Sequence, residues 1–229
     1  EAVRLLREDL AKRAAALLEC PEEVVGYSSG QFWIREDPRQ SVGIGAIVRR
    51  SNGAQPIAVT SNVDVKLKNN ITCFAAQVAE VEVDPETGKV QLHRFVTAHD
   101  VGTIINPVTH QGQIDGGAIQ GIGMALMEEL LIEDGQVVTN HLGDYKLPTI
   151  ADIPELITVL VSAPDGPTPF GGKAIGEMAN VAPAAAIANA IYDAVGVRLF
   201  ELPFTAERVY RALREKEQRE GDRGQAVGT

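Results

Sequence analysis

The stretch Ala79-Glu80-Val81-Glu82-Val83-Asp84-Pro85-Glu86-Thr87-Gly88-Lys89 alternates apolar and acidic residues, then breaks into a turn. Ala79, Val81 and Val83 fall on one face and Glu80 and Glu82 on the other, the two-residue period of a half-buried strand. Residues 84–88 reverse the chain and residues 89–98 return it, so residues 72–98 read as an antiparallel hairpin, architectural in role. Upstream, Val3, Leu6, Leu10, Ala14 and Leu17 recur every three or four residues, an amphipathic helix that stops before Pro21. Residues 24–27 and 31–34 flank Ser28-Ser29-Gly30 as a short hairpin. Ser41 is placed as the cap of a short helix ending near Gly53. Downstream, Asn106-Pro107 opens a helix over residues 108–131, with Met124, Ala125, Met127 and Leu130 inward and Glu128 and Glu129 outward. A second hairpin turns around Glu133-Asp134-Gly135, and a loop with two prolines covers residues 145–154. Residues 155–162 form an apolar strand, and residues 183–195 an alanine-rich helix closed by Gly196. Leu202-Pro203-Phe204-Thr205 caps a last helix from Ala206 to about Arg214, and residues 215–229, without an apolar period, read as a disordered tail. Helices and hairpins are interspersed without βαβ alternation, which predicts an α+β fold with mixed or antiparallel sheets packed with helices.

The 229 residues, 45% hydrophobic and 23% charged, suffice for a full core. A net charge of -10 argues against nucleic acid or an anionic membrane as the main partner. No apolar run approaches the ~20 residues of a membrane span, so a soluble, cytoplasmic protein is expected. Cys20 and Cys73 read as two buried thiols in a reducing compartment. The chain begins with Glu1 inside a helical pattern, as a trimmed chain or a piece of a longer one would. We expect one domain over residues 1–214, divided near 100–107 if there are two subdomains.

Two glycine-rich elements carry the chemical interest. The helix after Asn106 contains Gly112, Gly116, Gly117, Gly121 and Gly123. Each interior glycine costs about 1 kcal/mol against alanine, so close approach of another backbone or of a cofactor is needed to offset the sum. Gln113 and Gln120 sit among these glycines, and an amide can both donate and accept toward a polar heteroaromatic ring or a phosphate. The second element is Pro169-Phe170-Gly171-Gly172-Lys173-Ala174-Ile175-Gly176-Glu177, a glycine turn that delivers one carboxylate toward a helix N-terminus. It reads as an ordinary strand-to-helix connection or as the presentation of a base. Other chemistries fail on pattern. Pro167 and Ala174 break a phosphate loop, and no G-x-S-x-G occurs. His93, His99, His110 and His141 have no metal-ligand spacing.

Taken in order, Asp100-Val101-Gly102, Asn106-Pro107, Gly112-Gln113-Ile114-Asp115-Gly116-Gly117, Gln120-Gly121-Ile122-Gly123, Glu128-Glu129 and Lys173-Ala174-Ile175-Gly176-Glu177 resemble the xanthine dehydrogenase/aldehyde oxidase family. Specifically, they resemble the C-terminal part of its molybdopterin-binding large subunit. Tyr145, Asp152-Ile153-Pro154 and Leu202-Pro203 also fall in family order, and the likeness runs to about Arg214. The resemblance implies the molybdenum-cofactor-binding domain fold and a molybdenum hydroxylase. Such an enzyme adds water-derived oxygen to an electron-poor carbon of aldehyde, purine or N-heterocycle type. It implies that Glu177 is the general base at the Mo–OH, that Gln113 contacts the pterin, and that Gly112, Gly116 and Gly176 allow its close approach. The metal is held by the pterin, in its cytosine dinucleotide form, and not by side chains. Asp115 stands where glutamate is commoner. The implied partners are the upstream half of the molybdenum subunit, an iron-sulfur subunit with two [2Fe-2S] clusters, often an FAD subunit, a small-molecule substrate, and a second copy in a dimeric complex. The alternative is a non-catalytic scaffold or assembly domain that retains the fold.

Overall fold

A computed structural model describes residues 1–51, 57–62, 72–163, 168 and 170–226, with side chains as far as Gly221. The chain forms two compact units, Glu1–Lys66 and Leu67–Thr229, so the boundary considered at 100–107 lies inside the second.

In the first unit, α1 (Ala2–Leu18) ends on Glu19 in the left-handed conformation, two residues before Pro21. Strands β1 (Val25–Ser28) and β2 (Gln31–Ile34) pair antiparallel across Ser29-Gly30, both at positive φ, the geometry of a two-residue hairpin. Strand β3 (Asp37–Gly43) adds a third antiparallel strand, and α2 (Ile44–Arg50) follows directly. Ser41 is therefore no helix cap. It sits in β3 opposite Trp33, because a backbone ladder satisfies more polar groups than a single side-chain cap. The helix starts on Gly43 with no capping side chain, and Gly53 lies outside the described residues. Phe32, Ile47 and Ala14 are fully buried at the centre of this unit, with Leu10, Ala15 and Val25 around them. Cys20 packs at the margin of that core, and both cysteines are free and half-buried.

The second unit is built on the predicted hairpin. β4 (Ala75–Val83) and β5 (Val90–Asp100) pair antiparallel with a bulge at Glu80/Val81. α3 (Pro107–Leu126) then crosses over, β6 (Ile132–Glu133) and β7 (Gln136–Val137) make a small hairpin, and α4 (Leu142–Tyr145) is one turn. β8 (Glu155–Val161) returns parallel to β5, giving the order β4-β5-β8 and a mixed sheet. α5 (Met178–Val181), α6 (Pro183–Val195) and α7 (Ala206–Ala226) complete the unit. Leu92, Phe95, Ile122, Ile187, Ile191 and Val209 form the main core, against which Ala79, Val81 and Val83 pack. This is the apolar face expected of the hairpin.

Asn106 caps α3 by accepting from the amides of Val108 and Thr109, with Pro107 at the first turn. α3 stops at Leu126, short of residue 131, because the backbone turns away at Met127 and the Met127 and Glu128 amides both bond back to Gly123. Glu128 and Glu129 are not simply outward. Glu128 accepts from Tyr145, which pushes that phenol up from its ordinary value. Glu129 pairs with Arg208 of α7 at 2.7 Å. α7 runs past Arg214 to Ala226, its charged length carried by pairs one turn apart such as Arg214–Glu217 and Arg219–Glu215. Residues 227–229 lie outside the described residues.

Candidate functional site

The two glycine-rich elements meet. Gln113 of α3 donates from Nε2 to the Gly176 carbonyl at 3.2 Å, across 63 residues of chain. Beneath this contact lies a small core of Val101, Ile114 and Ala179, with Ile104, Leu160 and Ile175 packed against it. Those residues come from the chain just after β5, α3, α5, β8 and the glycine turn, so one apolar pedestal positions all of them.

The turn itself is stitched to the chain after β5. The Thr103 amide donates to the Gly171 carbonyl at 2.8 Å and the Lys173 amide to the Val101 carbonyl at 3.0 Å. Gly102, at φ +64, has the Gly171 carbonyl oxygen 2.3 Å from where a Cβ would stand, so only glycine permits this approach. Lys173 Nζ lies 2.6 Å from Asp100 Oδ2, with both side chains mostly buried. That hydrogen bond, with support from the Gly102 amide, holds the Asp100 carboxyl below its ordinary value. Pro169 lies outside the described residues.

Glu177 is the N-cap residue of α5. The helix after the turn thus begins immediately, ahead of the one expected at Pro183. The Glu177 side chain is exposed and makes no capping bond, so this chain by itself does not bury the carboxylate. α5 is held from the far side by Gln77 of β4, whose Nε2 donates to the Ala179 carbonyl at 2.8 Å and to Thr97 Oγ1 at 3.1 Å. The hairpin read as purely architectural therefore supplies a positioning contact. Next in this layer, His99 Nε2 meets Thr97 Oγ1 at 2.6 Å. His99 Nδ1 and Gln77 Oε1 are buried without a partner among the described atoms, and burial pushes the His99 ring down from its ordinary value.

The five helix glycines divide by what faces them. A Cβ at Gly117 would stand 2.7 Å from the Ala179 Cβ, and one at Gly121 2.4 Å from Pro183 Cγ. Gly123 meets the Glu128 side chain and Pro148. Those three answer to close approach of protein. Gly112 and Gly116 face nothing within 4 Å, and neither does Gly176. With Gln113 they form an open, exposed face beside Glu177. All four residues expected to approach a pterin thus lie together, and an open, backbone-lined surface with one amide fits a flat polar ring system. Gln120 is separate, its Oε1 accepting from Asn180 at 3.4 Å. Asp115 turns the other way and accepts a hydrogen bond from Thr158 of β8, tying α3 to the sheet.

Among the described residues no three His, Cys, Asp or Glu side chains converge on a common point. His93 meets Glu82 at 3.0 Å, and His110 Nδ1 meets the Asn106 carbonyl at 2.8 Å. No described helix is long and apolar enough to cross a membrane. Sequence reading assigned no role to Lys173 or Gln77, because their partners stand 73 and 102 residues away and leave no local signal.

Comparison with known proteins identifies the family. A family profile described as a molybdopterin cofactor-binding domain matches residues 1–154. The chain is 34% identical over 215 residues to the 6-hydroxypseudooxynicotine dehydrogenase complex subunit gamma of Paenarthrobacter nicotinovorans, covering 89% of this chain and 27% of that one. It is 33% identical over 217 residues to the putative xanthine dehydrogenase molybdenum-binding subunit of Escherichia coli, covering 91% and 28%. The fold matches the crystal structure of quinoline 2-oxidoreductase from Pseudomonas putida 86 with a TM-score of 0.74 at 29% identity, over 93% of this chain and 28% of that one. The chain therefore spans less than a third of the length of these relatives.

Proposed function

The chain belongs to the molybdopterin cofactor-binding domain family of the molybdenum hydroxylases, the xanthine dehydrogenase/aldehyde oxidase type, and we propose that it forms the C-terminal part of the cofactor-binding subunit and carries the catalytic base. The reaction class is hydroxylation of an electron-poor carbon, of aldehyde, purine or N-heterocycle type. Substrate C–H and water become C–OH, two protons and two electrons. Molybdenum–molybdopterin, when bound, supplies the two-electron oxidation. Gln113 holds the pterin through its amide, while Gly112, Gly116 and Gly176 keep the approach free of side chains. Glu177 accepts the proton released as water-derived oxygen adds to the substrate carbon. Glu177 is exposed in this chain, so its carboxylate is accessible to that proton.

The observation that carries this reading is the 3.2 Å bond from Gln113 to Gly176, which sets the open glycine face and the Glu177 turn side by side. The test is Glu177→Gln in the assembled enzyme. Loss of turnover by about 10²- to 10⁴-fold, with molybdenum content unchanged, is expected of a general base. Turnover within a few-fold of the unmutated enzyme, with molybdenum retained, rules the role out.

Finer assignments follow from the same reading. The pterin carries a cytosine dinucleotide, which acid hydrolysis checks by release of CMP. The electrons leave to [2Fe-2S] clusters and FAD on partner subunits or domains, so iron and flavin are expected to co-purify with the assembled enzyme. Its sedimentation is that of a dimer of such complexes. The cytoplasm suits the two free thiols Cys20 and Cys73, and cell fractionation tests that location.

A further inference from the structure

Among the described residues, the sheet β4-β5-β8 is covered by helices on one face only. On that side Ala79, Phe95 and Leu156 stand in one rung, and Gln77, Thr97 and Thr158 in the next. On the other side the register aligns Val78, Val96 and Ile157, then Ala76, Ala98 and Val159. Both of these rungs are apolar throughout. Val78 is 63% exposed, Ile157 37% and Val159 44%, with Val161 and Phe74 exposed beside them. The next rung is charged: Arg94 bridges Glu80 at 2.9 Å and Glu155 at 2.8 Å.

We propose that this open sheet face is the docking surface for the remainder of the molybdenum subunit. The first argument is the composition of β8, Glu155-Leu156-Ile157-Thr158-Val159-Leu160-Val161. A strand with one wet face alternates apolar and polar residues. β8 carries Ile157, Val159 and Val161 on the open face as well as Leu156 and Leu160 on the packed one, the pattern of a strand buried on both sides. Its parallel pairing with β5 points the same way, since parallel pairs occur where both faces of a sheet are covered. The second argument is length. Nearly three-quarters of each aligned relative lies outside the stretch this chain matches, which is ample polypeptide to supply a covering layer. The third is charge. Two copies of this chain, each at a net -10, repel one another. The Glu80–Arg94–Glu155 rung, one unit negative, instead makes a polar rim that suits a basic residue on the covering layer.

The inference rests on the family membership and not on the roles of Glu177 or Gln113. Its readout is contact, not turnover, so either proposal survives failure of the other. A photo-crosslinking benzoylphenylalanine replaces Val159 in the assembled enzyme, and the cross-linked peptides are sequenced. Cross-links to the molybdenum subunit outside residues 1–229 are expected. Cross-links to a second copy of this chain, to the iron-sulfur subunit, or to nothing overturn the proposal. Carbene footprinting of the unmodified enzyme guards against a misfolded variant. Val78, Ile157 and Val159 are expected to label at a tenth or less of their level in the denatured enzyme. Labelling equal to that in the denatured enzyme overturns it as well.

Discussion

The two sides of α3 use the same residue for opposite purposes. On one side Gly117 and Gly121 are filled by neighbouring protein, with Ala179 and Pro183 pressed where a Cβ would be, while Gly123, near the C-terminal end, meets Glu128 and Pro148. On the other, Gly112 and Gly116 meet nothing within 4 Å, and Gln113 beside them reaches across to Gly176. Glycine in a helix costs about the same at every interior position. On the packed side that cost is offset by helix–helix approach within this chain. On the open side nothing described offsets it, and that asymmetry is why the open side is the candidate cofactor face.

Substitutions separate the two sides, and they differ in sign. Gly121→Val is expected to be the most damaging, because the proline ring of Pro183 cannot rotate away. Overpacking of this kind costs about 1–3 kcal/mol, and this site belongs at the upper end; urea unfolding measures it. A variant as stable as the parent breaks the comparison. Next in size is the acid response of the stitched turn. The folded-state pKa of Asp100 lies below its ordinary 3.8. Its stabilising contribution is therefore complete above pH 3.8 and is lost as pH falls through the lower folded value. Asp100→Asn removes that dependence, so parent and variant curves separate above pH 3.8 and converge in stronger acid. His99 acts in a higher window. Its folded pKa is below 6.5, so the unfolded chain binds the proton first and stability declines as pH drops below 6.5. His99→Gln flattens that part of the profile.

Gly116→Ala sharpens the contrast most directly. In the chain alone it is expected to raise stability by up to about 1 kcal/mol, through helix propensity with no clash. In the assembled enzyme the added methyl stands on the cofactor face, and molybdenum content is expected to fall. Thermal unfolding and metal analysis of the one variant check both halves. Gln113→Ala has the smallest effect on stability, below about 1 kcal/mol, since its single cross-chain bond is exposed. Its expected consequence is loss of bound pterin.

Much of the fold was legible because its signals are local. The alternation at residues 79–83, the Asn106-Pro107 cap and the hairpin glycines act within a few residues, and periodicity reports them directly. Where reading went astray, backbone hydrogen bonding had won. Ser41 lost its capping role to the β2 ladder, and the end of α3 was pulled to Leu126 by the turn at Met127. Of the candidate site, the residue types were readable and their meeting was not. Gln113 and Gly176 are 63 positions apart, and the Asp100–Lys173 pair 73.

By itself, then, the order of motifs from Asp100 to Glu177 determined the family, and the excess of helix glycines established that something must come close. Only the tertiary structure decided which glycines serve protein packing and which remain open. Backbone approach depends on what stands across a gap of a few ångströms, and no sequence spacing contains that distance. The same holds for the turn that presents Glu177. Its glycines were evident in the chain, but the zipper to Val101 and Thr103 and the support from Gln77 arise only when β4, β5, α5 and the glycine turn are brought together.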